Sequence, residues 1–334
     1  MIYYPFIRKV KTISIRLKYI LLAITVLLWP VICLAAALAS VATVPASHKE
    51  IESIGLDPES RFGNLTTFCM TSEGNLLACD TQADEIRKIS PEGKTLARWK
   101  PGFAPYSIFA CPDGTIYAAG SGVVAKLDEN GKILKSVKSD GDNFPQGRSS
   151  GITATKKDVF VNIGFGWSLR SLSSVVRFDR DLNKAKTIAE GLRGCCQRLD
   201  VVAKDGFLYI AENSRFRVLK CDRDGNVLSK WGQRNPRDIE GFGSCCNPMN
   251  LCFGPKGELF TAESGLGRVK RYTPDGKFLG LVGYVGVERF TRAGRTAASC
   301  SNISIAVSKD KSRIYVLDFK NKIIRVMARA DAKS

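Results

Sequence analysis

One step recurs along this chain as a small polar residue: Thr67, Ser107, Ser150, Asp200, Asn250 and Ser304. Each is reached by counting back from the next aromatic or aliphatic strand. Hydroxyls at such a step suit a solvated channel. Asp200 and Asn250 add a carboxylate and an amide oxygen, the donor types that hold a hard divalent cation. A divalent metal is therefore the cofactor to test, with a loop acid completing the set. A second recurring step is acidic: Asp80, Glu212, Glu263 and Asp318 each follow a buried-type strand. Of these, Glu212 and Glu263 join Asp200, Asn250 and Ser304 as candidate channel or ligand residues.

Sulfur is the third source of chemistry. Of the 11 cysteines, Cys195-Cys196 and Cys245-Cys246 are adjacent pairs ahead of two successive repeat units, and Cys300 holds the matching place before the next. Aligned on the strand that follows, Cys196, Cys246 and Cys300 are equivalent. An oxidising compartment makes such residues disulfides; the sharper alternatives are a thiolate metal site or a vicinal redox pair. Cys69 and Cys252 share one strand position and face the core by alternation.

Absences narrow the field. The sole histidine is His48, outside the repeats, which excludes a multi-histidine zinc site, a Ser-His-Asp triad or a Cys-His pair within them. Asp222-Arg223-Asp224-Gly225 starts like a calcium loop but has Gln233 where the closing Glu belongs, and reads as a β-turn. Asn64-Leu65-Thr66 and Asn302-Ile303-Ser304 match the glycosylation sequon, which matters only on a eukaryotic secretory route.

The elements that carry these residues come from an internal repeat between residues 61 and 329. Its clearest copy has Pro248-Met249-Asn250-Leu251-Cys252-Phe253, a Lys256-Gly257 turn, Glu258-Leu259-Phe260-Thr261-Ala262-Glu263, Arg268-Val269-Lys270-Arg271-Tyr272, then a Pro274-Asp275-Gly276-Lys277 turn and Phe278-Leu279-Gly280-Leu281-Val282. Sister copies carry Phe207-Leu208-Tyr209-Ile210-Ala211-Glu212 and Arg313-Ile314-Tyr315-Val316-Leu317-Asp318; the copy around Val159-Phe160-Val161 is degenerate. Four short strands per unit, joined by Gly- and Asp-rich turns, describe a propeller blade.

The unit resembles the NHL-repeat family over about residues 60–329. That resemblance implies an all-β, six-bladed β-propeller and no chemistry by itself. In the family, the acids after the second strand brace a loop. Related propellers include peptide-amidating and streptogramin lyases, which depend on histidines this chain lacks. They also include gluconolactonase-type enzymes, whose carboxylate and amide metal site Asp200 and Asn250 could mimic.

The sixth unit runs out of chain after its third strand, so the alternating segment 48–56 is expected to close the ring as its fourth. Long insertions at 140–148, 162–174, 232–243 and 284–298 are expected on one face, where loops on a rigid scaffold carry function.

Residues 1–45 form a separate unit. Arg8, Lys9, Lys11, Arg16 and Lys18 precede an uncharged apolar run over 19–44, the order of an export signal, and the run is long enough for a membrane-anchoring hydrophobic helix. Ala37-Leu38-Ala39 before Ser40 fits a cleavage site, so anchor and cleaved signal both stand. In either case the propeller at 46–334 is extracytoplasmic, periplasmic or secreted. Setting those five charges aside leaves about +13 of the formal +18. An exported basic surface points to a protein, an anionic polysaccharide or anionic lipid as partner, and away from nucleic acid. Three functions follow: a binding or scaffold propeller using its loop- and cysteine-bearing face, a metal-dependent hydrolase, lactonase or lyase, and a thiol-metal or redox protein.

Overall fold

The computed structural model describes residues 44–165, 172–195, 198–244, 246–285 and 303–330. The strands within these residues form six four-stranded antiparallel sheets. Blade one comprises Leu65–Met70, Leu76–Asp80, Glu85–Ile89 and Thr95–Trp99. The inner strands of blades two to six are Ser107–Ala110, Arg148–Ala154, Asp200–Lys204, Asn250–Phe253 and Ile305–Val307. The third blade, degenerate in sequence, is complete, and its Asp158–Phe165 and Leu172–Asp179 strands take up most of the expected 162–174 insertion. Among the described residues the only helical element is the 3-10 turn Asn213–Arg215; the N-terminal hydrophobic helix falls outside them.

The core lies in slabs between successive blades. Second strands are covered on both faces, so Leu76–Asp80 and Leu259–Glu263 are buried throughout. Outer strands such as Thr95–Trp99 have one face in water and alternate. Leu77, Cys79 and Ile86 of blade one meet Ile108, Ile116, Ala118 and Leu127 of blade two. Burial of this kind stabilises by roughly 25 cal/mol per Å² of apolar surface.

Glycine in the outer turn of one blade lets an outer-strand side chain of the preceding blade lie against it. A Cβ on Gly131 (φ 82°) would sit 2.1 Å from the Trp99 ring, and one on Gly276 (φ 92°) 2.3 Å from Trp231. Both the left-handed conformation and the close approach exclude a side chain.

The ring closes as the sequence leads one to expect. His48–Ile54 pairs antiparallel with Ile323–Arg329, from His48 opposite Arg329 to Ile54 opposite Ile324. Arg325 donates to Glu50 at 2.5 Å, Ser47 N donates to Leu281 O of blade five at 3.1 Å, and Ile54 packs on Gly93 of blade one. The closing strand thus covers an edge that would otherwise be unpaired and connects three blades. Deleting residues 46–57 is expected to lower the thermal midpoint by on the order of 10 °C or more. A differential scanning measurement with an unchanged midpoint would overturn this account of closure.

Candidate functional site

The recurring polar step forms the neck of the central channel, and its side chains, with the neighbouring Thr66 and Ser149, link one blade to the next. Thr66 Oγ1 donates to Pro105 O at 3.3 Å, joining blades one and two. Ser107 and Ser149 hydroxyls meet at 2.5 Å between blades two and three. Ser150 donates to Leu199 O at 2.9 Å and accepts from Leu199 N at 3.0 Å, joining three and four. Asn250 Nδ2 and Leu251 N donate to Asp200 Oδ2 at 2.7 and 2.8 Å, joining four and five. Ile305 N donates to Asn250 Oδ1 at 2.9 Å, joining five and six, and Thr67 and Ser304 hydroxyls complete the circuit at 3.2 Å. Simple solvation of a wet channel is therefore not the main work of these residues.

That commitment bears on the metal expectation through the donor set. Asn250 Oδ1 and Asp200 Oδ2 are already accepting hydrogen bonds, the remaining ring members are hydroxyls, and among the described residues no cluster of three His, Cys, Asp or Glu side chains could hold a metal ion. The described residues do not by themselves fit a divalent cation, and no metal-assisted step is derived from them.

Asp200 still differs from its neighbours. It is 8% exposed, and burial pushes its carboxyl up to about 7, against the opposing pull of the Leu251 and Val201 amides. Desolvation disfavours the charged form, and hydrogen bonds to Oδ2 only partly compensate. A Cβ at position 151 would lie 3.0 Å from Oδ1, so Gly151 is what allows the carboxyl to sit there.

Below the neck lies a cavity of about 320 Å³. Its lining follows each inner strand from the neck toward its C-terminal end: Thr67 to Thr71, Asp200 to Ala203 and Asn250 to Phe253. Strands run antiparallel within a blade, so this end carries the short turns between first and second strands, opposite the long loops. Glu212 and Glu263 are not among its lining residues. Cys69 and Cys252 are half-buried members of that lining. Protein surrounds them on the other sides, and burial pushes both thiols up to about 12.

The strand-two acids serve the loop-bearing face. Asp80 accepts from Arg87 at 3.0 Å and from the amides of Gly63 and Asn64. Glu212 pairs with Arg217 at 2.5 Å, and Asp318 with Arg325 at 2.6 Å. Glu263 is the most elaborate. It accepts from Arg268 Nε at 2.7 Å, Lys270 Nζ at 2.9 Å and Gly243 N at 2.8 Å. Arg268, Lys270 and Tyr272 alternate along one strand, so all three project to the same side. From there Arg268 donates to Gly241 O at 3.0 Å, Lys270 to Gly241 O at 2.7 Å and Ile239 O at 3.0 Å, and Tyr272 to Glu240 O at 2.8 Å.

Lys270 is fully buried, 4.7 Å above the Phe242 ring, and burial lowers its amine to about 8 in spite of Glu263. The 232–243 loop is thus clamped by its backbone carbonyls. The repeat pattern by itself does not mark Lys270 and Tyr272 as functional. The available signal was Arg268-x-Lys270-x-Tyr272, polar reach on alternate positions of a strand with apolar neighbours.

The cysteines divide in two. Cys195 and Cys246 join Met249, Val285 and Ile303 in one buried cluster, so the segments entering blades four and five do meet. Cys196, Cys245 and Cys300 lie outside the described residues. Cys79, Cys111 and Cys221 are buried free thiols. Burial raises all three, Cys111 and Cys221 to about 11. A thiol so raised supplies little thiolate near neutral pH, which disfavours a nucleophilic role for these three and for Cys69 and Cys252.

No family model matches the chain, and no curated protein matches it. Solved structures do. A calcium-binding regucalcin from Agrobacterium tumefaciens is 13% identical with a TM-score of 0.58, over 86% of this chain and 96% of that one. A streptogramin B lyase is 13% identical with a TM-score of 0.55, over 82% and 96%. Hydrazine synthase from Kuenenia stuttgartiensis is 16% identical with a TM-score of 0.52, over 80% and 84%. These likenesses establish the propeller fold alone.

Asp200 generates a pH dependence. Its folded carboxyl titrates above the unfolded value of about 3.9, so its stabilising contribution is complete below about pH 4 and is lost as pH rises through about 7. Asp200→Asn removes this component. The difference in unfolding free energy between wild type and variant is expected to change by on the order of 2–4 kcal/mol between about pH 4 and pH 8 in urea melts. Parallel profiles would refute the assignment.

Proposed function

We propose that this chain is an NHL-type propeller working outside the cytoplasm as a binding or scaffold module, and that it engages its partner through the face bearing the 232–243 loop. The observation that carries this reading is the clamp. A buried carboxylate, a guanidinium and a buried ammonium hold the backbone of a surface insertion whose Arg234, Arg237, Asp238 and Glu240 side chains remain exposed. Removing two cations and a carboxylate from water costs several kcal/mol per ion unless each is well paired. Such an investment is understandable where an ordered loop must present a fixed surface, because preorganisation lowers the entropy cost of binding. By contrast, the neck groups and strand-two acids are occupied in holding blades and loops, which disfavours the hydrolase, lactonase or lyase reading.

The partner is anionic: an acidic protein, an acidic polysaccharide or a lipid headgroup surface. Arg193 ends the outer strand of blade three, Arg215 sits in the second connection of blade four, and Arg234 and Arg237 follow its outer strand. Antiparallel order puts all four on the same face, and all four are exposed. Triple substitution of Arg193, Arg234 and Arg237 by Ala is expected to weaken salt-sensitive binding to a sulfated polysaccharide or to phosphatidylglycerol vesicles by about tenfold or more, with the thermal midpoint retained. Equal retention of wild type and variant on both supports, or no binding by either, would reject this surface.

The proposal also makes Cys195, Cys196, Cys245, Cys246 and Cys300 mainly disulfide-linked, limiting loop entropy by about 2–4 kcal/mol per bridge. Thiol titration of the 46–334 propeller under denaturing, non-reducing conditions is expected to return Cys69, Cys79, Cys111, Cys221 and Cys252 without the full complement of its other five. Complete recovery of all thiols would sink the staple.

A further inference from the structure

We propose that the channel cavity, on the face away from the clamped loop, is a second binding site that takes a small amine head-first, with the ammonium group at Asp200 and an apolar body against the inner strands. The site is independent of the partner-binding face and does not rest on it.

Shape comes first. The cavity of about 320 Å³ holds about ten waters' share of liquid volume, at the small end of ligand pockets, which run from about 300 to 1,000 Å³. Polar and apolar groups share its walls, the apolar share coming from Phe109, Ile152, Val202, Phe253 and Val307 of five different blades. With the polar neck at one end, that apolar share orients an amphiphilic ligand along the channel axis.

Charge comes second. Asp200 is the one carboxylate among the lining residues, and Lys309, exposed at the far end, is the one cation. Both hydrogen bonds that reach the Asp200 carboxylate from blade five converge on Oδ2. That leaves Oδ1 with no side-chain partner among the described residues, beside Gly151, where a Cβ would approach to 3.0 Å. The Val201 amide also acts on this carboxyl, but a carboxylate oxygen has room for more than one donor, and no side chain uses Oδ1 at the end of the cavity. An ammonium supplies both the hydrogen bond and the charge, and a charge-assisted bond exceeds what a hydroxyl can provide. Lys309 is solvated, so its field is screened, whereas Asp200 acts across low-dielectric walls.

The groups facing Asp200 are Asn250 and Leu251 of blade five and Gly151 of blade three, none of which titrates. The nearby Cys252 thiol is held neutral by burial and by the Asp200 charge. Because the empty carboxyl titrates near 7, an ammonium binds its ionised form and displaces a proton. Amine affinity therefore rises with pH through neutrality and levels off above it.

Full-length protein titrated calorimetrically with hexylamine, hexanol and hexanoate distinguishes the chemistry. Hexylamine is expected to bind about tenfold or more tightly than either equal-length probe at about pH 8, and to weaken as pH falls to about 6. Asp200→Asn keeps an oxygen for the Asn250 and Leu251 donors and should abolish the preference for the amine. Val202→Phe, which fills the cavity below the neck, should abolish binding of all three probes; circular dichroism melts confirm that each variant is folded. Equal affinity for amine, alcohol and carboxylate, or undiminished hexylamine binding by Asp200→Asn or Val202→Phe, would overturn the proposal.

Discussion

Six inner strands converge on the propeller axis, each with one edge that no neighbouring strand can pair. Sheets arranged radially cannot share a β-ladder at the centre, because their planes splay apart. The chain meets this constraint with side chains at, or next to, the recurring polar step. Thr66, Ser107, Ser150, Asp200, Asn250 and Thr67 carry hydrogen bonds across the six junctions. Residues at a narrow neck must be short, and they must both donate and accept, which is why hydroxyls dominate and an amide and a carboxyl serve the fourth and fifth blades. A neck committed in this way is unsuited to cation coordination. The remote apolar slabs between blades depend on it, since they hold their registry only while the inner strands stay in step.

Electrostatics repeats the same economy at the blade ends. A chain with a formal charge of +18 could neutralise its acids anywhere on its surface, yet the recurring acids are buried and each has its own arginine. The partner comes seven residues later for Asp80 and Asp318 and five later for Glu212 and Glu263. The acid ends the second strand and the arginine lies on the third, so the pair spans the connection between them. At blade five the theme expands, with Lys270 joining Arg268 on Glu263 and both cations reaching loop carbonyls. A buried ammonium is tolerated there because three oxygens and two aromatic faces surround it. The two faces of the disc therefore differ in kind. One presents loops held by ion pairs, and the other opens into a cavity of mixed polar and apolar lining that ends at Asp200.

Much of this was determined by the sequence alone. The repeat of apolar segment, Gly turn, aliphatic-aromatic strand and acid specifies a blade, because strand periodicity and turn chemistry are local properties. Closure was legible because the sixth repeat shows three strands and the segment 48–56 alternates polar and apolar residues as a fourth would; His48–Ile54 is the part that pairs. Equivalence of the neck residues was also visible, since it follows from alignment of the repeats.

Only the tertiary structure decided what those residues do. Whether Ser107 faces water or Ser149 depends on how closely adjacent blades approach, and no single repeat encodes that distance. Asp200 and Asn250 look like metal ligands in one dimension; in three, each uses its oxygen on a backbone amide of the next blade. The cavity opens away from the long loops because strand direction sets which end of the channel stays clear of the neck. Lys270 reads as one more basic residue on an edge-like strand. It becomes a loop clamp because the chain returns from residue 239 to 243 with its carbonyls pointing inward, a convergence of segments about thirty residues apart that local pattern does not contain.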